Sequence, residues 1–510
     1  MKLVNGFTDD EQALARRLEQ VLVRKSTRNL LRSAYMDGKH ALHRLPATSP
    51  PYLRELAVVL GWPAKAVELL ARRIRLEGFA LPDGGELSEW GLDSILRDNR
   101  YMAESGQGRV SALAHSVAFE VVTRGHEGEP DAIISRVTAM DGTGDWNPRT
   151  RRLDTFLWVQ ERDEKEITAF TLFYGDQIVA VRDGKVAGRG VSTPGCPPVS
   201  PLPYKPRLDR PFGSSRISRP VMSITDSAVR TIIRSEGTAD FYGAPWFMIF
   251  GPGEDAFSKN SWQMLFDRIN AIPDNTDPDI TNQRADVKQF TQASQAPHVD
   301  QLQVWAGLFA GETNIPVSSL GVGMSQANPT SSESYHASRE DLIAEAEDAQ
   351  DQWSNAHAQS VLWAWQIAHG EKTVPAELAG LEPIWRDARH LTRAASADAT
   401  LKNVQAFPWM AESDAVVETL GLDRSMTQRL LADKRRAGGG SVLAQLQALA
   451  PSDETSNTTA LDDVNVLKAK LEALGIGVRA GATFESLRAA LGLDGVESSG
   501  AIPAGMKTED

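Results

Sequence analysis

The residues able to do chemistry are few and scattered. His40 and His43 stand three apart, as do Glu333 and His336. Either pair could give two ligands to a metal ion, but zinc centres take three or four protein ligands, and no third candidate stands nearby. Cys196, the single cysteine, lies in STPGCPPVSPLPY between glycine and proline, with no base beside it to make a nucleophile. The carboxylate pairs Glu340-Asp341 and Glu347-Asp348 could in principle share acid and base roles. They sit on a helical pattern, where they read better as solvated charge. Gly321-Val322-Gly323 has the glycine spacing of a phosphate loop, but no strand precedes it. GxxxxGK[ST], HExxH, GxSxG and the kinase signatures are all absent. The expectation is a chain with no catalytic residue, no cofactor and no metal site, and not an enzyme.

A protein without such a site acts through shape. The chain has 510 residues, room for two to four domains. Hydrophobic residues make up 41% and charged ones 24%, an ordinary globular balance that excludes a wholly disordered chain. One cysteine excludes a disulfide framework. No run of 18 apolar residues occurs, so no membrane span is expected, and no membrane partner is assigned. The opening MKLVNGFTDDEQALARRLEQ turns charged at once, unlike a signal peptide. The net charge is −13. Proteins that grip nucleic acid are usually basic, so any DNA handled here is not held by whole-molecule attraction.

The elements follow from periodicity. Residues 9–35 predict a basic amphipathic helix with Asp9 and Asp10 at its cap. A second helix is expected over 52–77, kinked near Gly61-Trp62-Pro63, and two more over 88–104 and 107–124. From 131 to 190 the period becomes two, predicting an antiparallel meander. Residues 192–216 are rich in Pro, Gly and Ser and read as an extended connection. A long helix is expected over 217–242, with Ser218 as cap, Pro220 in the first turn and an apolar stripe of Val221, Ile224, Ala228 and Ile232. A small α/β insert follows over 243–298. Its strands carry Trp246, Phe247 and Phe250, its helix begins at Trp262, and its acidic turn holds Asp274, Asp277 and Asp279. Residues 299–312 return to helix with Leu302, Trp305 and Phe309 on one face. Residues 313–332 read as a long polar loop, then a very long helix runs over 333–369. Helical hairpins are expected over 376–435, a linker over 451–459 and disorder in about the last 18 residues.

Four passages in this order carry a resemblance. They are RPFGSSRISRPVMSITDSAVRTIIRSEGTADFYGAPWFMIFG (210–251), LQVWAGLFAGETNIPVSSLGV (302–322), NPTSSESYHASREDLI (328–343) and DDVNVLKAKLEALGIGVRAGATFESLRAALGLDGV (462–496). Together with the element order they resemble the portal proteins of tailed bacteriophages, in the group common among phages of actinobacterial hosts.

The resemblance implies an α+β portal fold, mainly helical with a β-meander in the wing and a small α/β clip. Residues 1–216 and 333–369 would form the wing, 217–242 and 299–312 the two stem helices, and 243–298 the clip. Residues 313–332 would be the tunnel loop, 370–450 the crown and 451–510 a C-terminal extension. It implies a ring of twelve copies at one capsid vertex of the virion, assembled in the host cytoplasm, through which double-stranded DNA is packaged and ejected. The implied partners are further copies of the chain, the terminase large subunit, then the head-completion adaptor, and the major capsid protein with its scaffold. Trp246, Phe247, Phe250, Trp262, Asp274, Asp277 and Asp279 become the clip's docking residues. Ser318, Ser319, Gly321, Gly323, Ser325, Gln326, Asn328 and Ser331 become the loop facing the channel. Residues 313–333 contain no Lys or Arg, which suits contact with DNA without firm attachment; a plain surface loop is the other reading. Arg216, Arg219, Arg230 and Arg234 on the stem could face the channel or bridge to acidic groups of the next subunit. Bridging is favoured, since a basic band would hold the duplex. Twelve copies carry roughly −156, which suits a repulsive or mixed wall. Two alternatives remain from sequence: a monomeric phage structural or scaffold protein, and an enzyme with an unrecognised site.

Overall fold

In the computed structural model the described residues are 3–40, 58–81, 85–164, 166–243, 247–250, 286–289, 294–322, 339–389 and most of 393–434. Helix α1 (Asp9–Met36) starts at the predicted residue, but its cap is Thr8 and not the Asp9-Asp10 pair. The Thr8 side chain accepts from the Glu11 amide, and Glu11 reaches back to the Thr8 amide, a reciprocal capping box. Glu11 is itself buried, and Arg189 and Tyr174 donate to it. Arg189, chiefly, holds its pKa down at about 2.

Helix α2 is short (Trp62–Ala71), with Pro63 in its first turn. The expected helix over 52–77 does not run on: Leu76–Ala80 is strand β1, and the segment before residue 58 lies outside the described residues. After a 3₁₀ turn come α3 (Leu92–Asp98) and α4 (Tyr101–His115). The expected helix over 107–124 ends at His115, and Val117–Arg124 is strand β2. The strand is buried on both faces through Val122. Its sequence VAFEVV is apolar but for Glu120 and shows no alternation, so periodicity alone does not separate it from a buried helix.

Strands β3 (Ala132–Thr138), β4 (Gly142–Asn147), β5 (Arg152–Asp163), β6 (Glu166–Tyr174), β7 (Gln177–Arg182) and β8 (Lys185–Val191) follow. The expected meander is two sheets. The β4–β8 strands pair in sequence order, while β3 pairs with β2, whose other side takes β9 (Val199–Pro203) from the proline-rich connection. Prolines at 201 and 203 are tolerated because β9 is an edge strand. The sheets stack through Phe119, Val121, Phe156 and Phe173, with the Phe119 and Phe156 ring centroids 4.8 Å apart. Alternate residues of the meander, Leu157, Val159, Phe170, Leu172, Val179 and Val181, turn the other way onto Ala15, Leu18 and Leu22 of α1.

The chain leaves β9 through Gly213 at φ +67, where a Cβ would stand 2.1 Å from the Tyr204 carbonyl oxygen. Only glycine fits that approach. It then enters α5 (Arg219–Gly243). Strands β10 (Phe247–Phe250) and β11 (Asp286–Gln289) pair antiparallel, followed by α6 (Ala296–Thr313) and α7 (Glu340–His369). Trp353 of α7 is fully buried, and its indole donates to the Pro203 carbonyl at 2.7 Å. Residues 382–385, expected in a helical hairpin, form β12 (Glu382–Trp385) and pair with β1 across some three hundred residues of chain.

Two compact units divide at Ser396–Ala397. Helix α8 (Arg393–Ala406) spans that point, and α9 (Ala415–Thr419) follows. In the second unit the Thr400 hydroxyl donates to the Thr419 carbonyl at 3.1 Å. Residues 435–510 lie outside the described residues.

Candidate functional site

Helices α5 and α6 form an antiparallel pair. Ser218 meets Glu312 at 3.1 Å, Thr231 accepts from the Trp305 indole at 3.1 Å, and Thr238 meets His298 at 2.9 Å. At 1.5 Å per residue the 25-residue α5 is about 37 Å long. Ser218 caps the Val221 amide, as its position predicts. Val221 and Ala228 are buried as expected, and Ile224 and Ile232 half-buried. Val229 and Ile233, outside the predicted stripe, are buried as well, against Val58 and Leu60. On α6, Phe309 is fully buried with its ring 5.3 Å from Trp62, and Leu302 and Trp305 pack partly buried beside it.

The opposite face of α6 is unlike this. Val304 is 60% exposed and Leu308 52%, one helical turn apart. Gly307 and Gly311 lie between and beyond them with open space where a Cβ would be. Val299 is 50% exposed. An apolar row with small residues at helical spacing is the surface a second helix packs against.

The foot of the pair is locked by charge. Arg216, two residues before the Ser218 cap, is 5% exposed. Its guanidinium lies 2.6 Å from Glu345 of α7, donates to the Tyr204 hydroxyl at 2.9 Å, and donates to the Ala66 and Thr313 carbonyls. The sequence assigns Arg216 to the channel or to a neighbouring subunit. The structure instead engages all three of its guanidinium nitrogens inside the chain, tying the start of α5, the end of α6, α2, α7 and the end of β9 to one point. Glu345 also accepts from Tyr204 and pairs with Lys205, and the Asn314 amide donates to it at 3.3 Å. Burial pushes the Glu345 carboxyl up, but Arg216, Lys205 and Tyr204 outweigh it and hold it at about 2.

A folded pKa of about 2 against an ordinary 4.5 makes ionised Glu345 stabilising by about 3 kcal/mol above pH 4.5. That contribution is lost as pH falls from 4.5 towards 2. The stability difference between the parent chain and Glu345→Gln is accordingly expected to shrink over that window in pH-dependent thermal unfolding. A difference that stays constant from pH 7 to 2.5 would contradict the assignment.

Arg219 and Arg234 are exposed, and Arg230 is half-buried with Ser227 as its partner at 2.7 Å. Among the described residues none of the three pairs with a carboxylate. The loop after α6 is more built than its composition suggests. Asn314 ends the helix at φ +54, Ile315 and Leu320 are buried, and Val317–Leu320 forms a 3₁₀ turn. Ser318 is exposed, Ser319 is half-buried with its carbonyl accepting from Lys65 at 3.0 Å, and Gly321 turns the chain at φ +75. Gly323, Ser325, Gln326, Asn328 and Ser331 lie outside the described residues, as do Trp246, Trp262, Asp274, Asp277 and Asp279. Phe247 and Phe250 lie on β10.

Sequence reasoning missed Glu345, Tyr204 and Lys205. The available signal was a charge on an apolar stripe, because Glu345 falls among Leu342, Ala346, Ala349 and Trp353. It also missed the buried set in which Tyr101 donates to Glu120 at 2.9 Å while Arg136 and His357 each stand 3.2 Å from that carboxylate. The lone Glu of VAFEVV was its signal. Among the described residues no group of three or more His, Cys, Asp or Glu could hold a metal ion.

The helical pair is anchored to a body containing both sheets, and the segment joining Gly243 to Ala296 carries the paired strands β10 and β11. Residues 17–408 match the model of the phage portal protein family described as SPP1 Gp6-like, and the chain belongs to that family. It is 28% identical over 390 residues to the portal protein of Mycobacterium phage L5, covering 72% of this chain and 77% of that one. It is 28% identical over 422 residues to the portal protein of Mycobacterium phage D29, covering 79% and 81%. Among solved structures, a chain from the neck of a native GTA particle, computed with C12 symmetry, aligns with a TM-score of 0.40 and 13% identity. That alignment covers 77% of this chain and 98% of that one.

Proposed function

We propose that this chain is the subunit of a dodecameric portal ring at one capsid vertex, forming the channel for DNA packaging and ejection. Residues 1–216, α7 and residues 370–396 form the wing, the last because β12 pairs with β1. Helices α5 and α6 form the stem, 243–298 the clip, residues from 397 to 450 the crown and 451–510 a C-terminal extension. The clip docks the terminase large subunit during packaging and the head-completion adaptor afterwards. The wing meets the major capsid protein and its scaffold. The chain works without catalysis.

One observation supports this reading: the exposed row Val304, Gly307, Leu308, Gly311 on a helix whose other face packs against the body. A monomer gains nothing from that row, whereas in a ring every copy buries it against the next. Arg219 and Arg234, without carboxylate partners in the described chain, bridge to the same neighbour. The test is Val304→Arg with Leu308→Arg. Each places a charge in a closely packed contact, and the expected result is a folded chain that no longer forms rings in negative-stain images. Rings of unchanged abundance in the double variant would overturn the reading.

A further inference from the structure

The exposed half of α1 bears a row of cations without carboxylate partners among the described residues. Arg24, Arg28 and Arg32 stand at i, i+4 and i+8, each about 6 Å further along the helix. Lys25 stands beside them, and Arg210 joins from the turn after β9. Arg24, Lys25, Arg28 and Arg210 are exposed and Arg32 half-buried. Among the described residues no carboxylate pairs with any of the five. Their partners are neutral: Arg32 donates to Asn29 at 3.1 Å and to the His115 carbonyl at 3.3 Å, Arg210 to Ser214 at 3.4 Å, and Lys25 lies 5.7 Å from the Phe212 ring centre. Burial, together with repulsion from Arg28 and Arg210, lowers the Arg32 pKa to about 10. Five like charges held together in an acidic chain destabilise it unless something anionic covers them.

The same chain offers a matching surface elsewhere. The first three turns of α7 present Glu340, Asp341, Glu347, Asp348 and Asp351, all exposed, and among the described residues none pairs with a cation. This row extends about 16 Å and the basic row about 12 Å. Helix α1 packs against α4 and β4, whereas α7 covers β9 and β2, so the two rows stand on different elements of the body. We infer that the Arg24–Arg28–Arg32–Arg210 surface of one subunit docks on the acidic face of α7 in the next copy of this chain. This is a head-to-tail contact that, repeated, closes a ring. The pairing rests on the ring reading and adds to it the charges that set the order and orientation of neighbours. A DNA duplex is the less favoured occupant, because a ring carrying roughly −156 repels it beyond the local row.

Charge reversal tests the pairing. Arg24→Glu with Arg28→Glu is expected to raise the protein concentration at half-assembly at least about tenfold. Raising salt from about 50 to 500 mM is expected to weaken the parent ring while affecting the variant less. Glu347→Arg with Asp348→Arg alone gives the same loss. Combining all four restores assembly to within about threefold of the parent, which a misfolded variant could not do. Unchanged assembly of R24E/R28E, or failure of the four-site variant to recover, overturns the pairing while the ring stands. R24E/R28E that assembles normally but loses DNA affinity assigns the row to nucleic acid and likewise overturns it. A parent chain that stays monomeric overturns the ring reading and this contact with it.

Discussion

Arg216→Met is expected to destabilise the junction of α5, α6 and α7 by about 3–5 kcal/mol, the usual cost of leaving a buried charge without its partner. Arg216 holds Glu345, Tyr204 and the Ala66 and Thr313 carbonyls at once. Methionine fills much of its volume but donates to none of them. Glu345 keeps Lys205 and Tyr204, yet loses the cation that stands with it in the interior. The Thr313 carbonyl, at the end of α6, loses its side-chain donor. The thermal midpoint is expected to fall, and amide exchange is expected to accelerate at 217–222 and 310–316 before the β-sheets respond. Arg216→Met combined with Glu345→Met is expected to recover part of the loss, since the orphaned carboxylate is gone. A single variant within about 1 kcal/mol of the parent would show that the junction is held by packing alone.

Deleting residues 323–331 is expected to leave rings intact but to impair packaging or retention of DNA. A longer cut, 318–331, is expected to do more damage for a different reason. It removes Leu320, 4% exposed in the core, and the Ser319 carbonyl that accepts from Lys65. Losing a buried leucine costs about 2–5 kcal/mol, so the longer deletion mixes a stability defect with a channel defect. The shorter one keeps the 3₁₀ turn and Gly321. Packaged genome length and retention in particles carrying the 323–331 deletion check the idea, and normal values for both would refute it.

Much of this was legible in the sequence where one face of an element is wet. The 219–243 helix announces itself through Ser218, Pro220 and an apolar stripe, and β5 to β7 through residues that alternate between α1 and the second sheet. Where both faces are covered, the signal vanishes. Strand β2 reads as a continuation of α4 because Val117 to Val122 has no wet side. Strand β9 is hidden by Pro201 and Pro203, permitted only at an edge. Strands β1 and β12 are short, and each makes sense only beside the other, far away in sequence. The site divides in the same way. Leu302, Trp305 and Phe309 were readable as one face, whereas the Arg216–Glu345 pair joins positions that no local pattern connects. Charge sign alone suggested that Arg216 looks outward, and burial reverses that.

The measurement that tests the central claim most directly is the mass of the purified full-length chain, by native mass spectrometry or light scattering, with particle images from the same sample. The account predicts closed rings near twelve times 55.6 kDa, about 670 kDa, with a central hole wide enough for duplex DNA. A species of 55.6 kDa that does not change with concentration or salt, and images without rings, would contradict it.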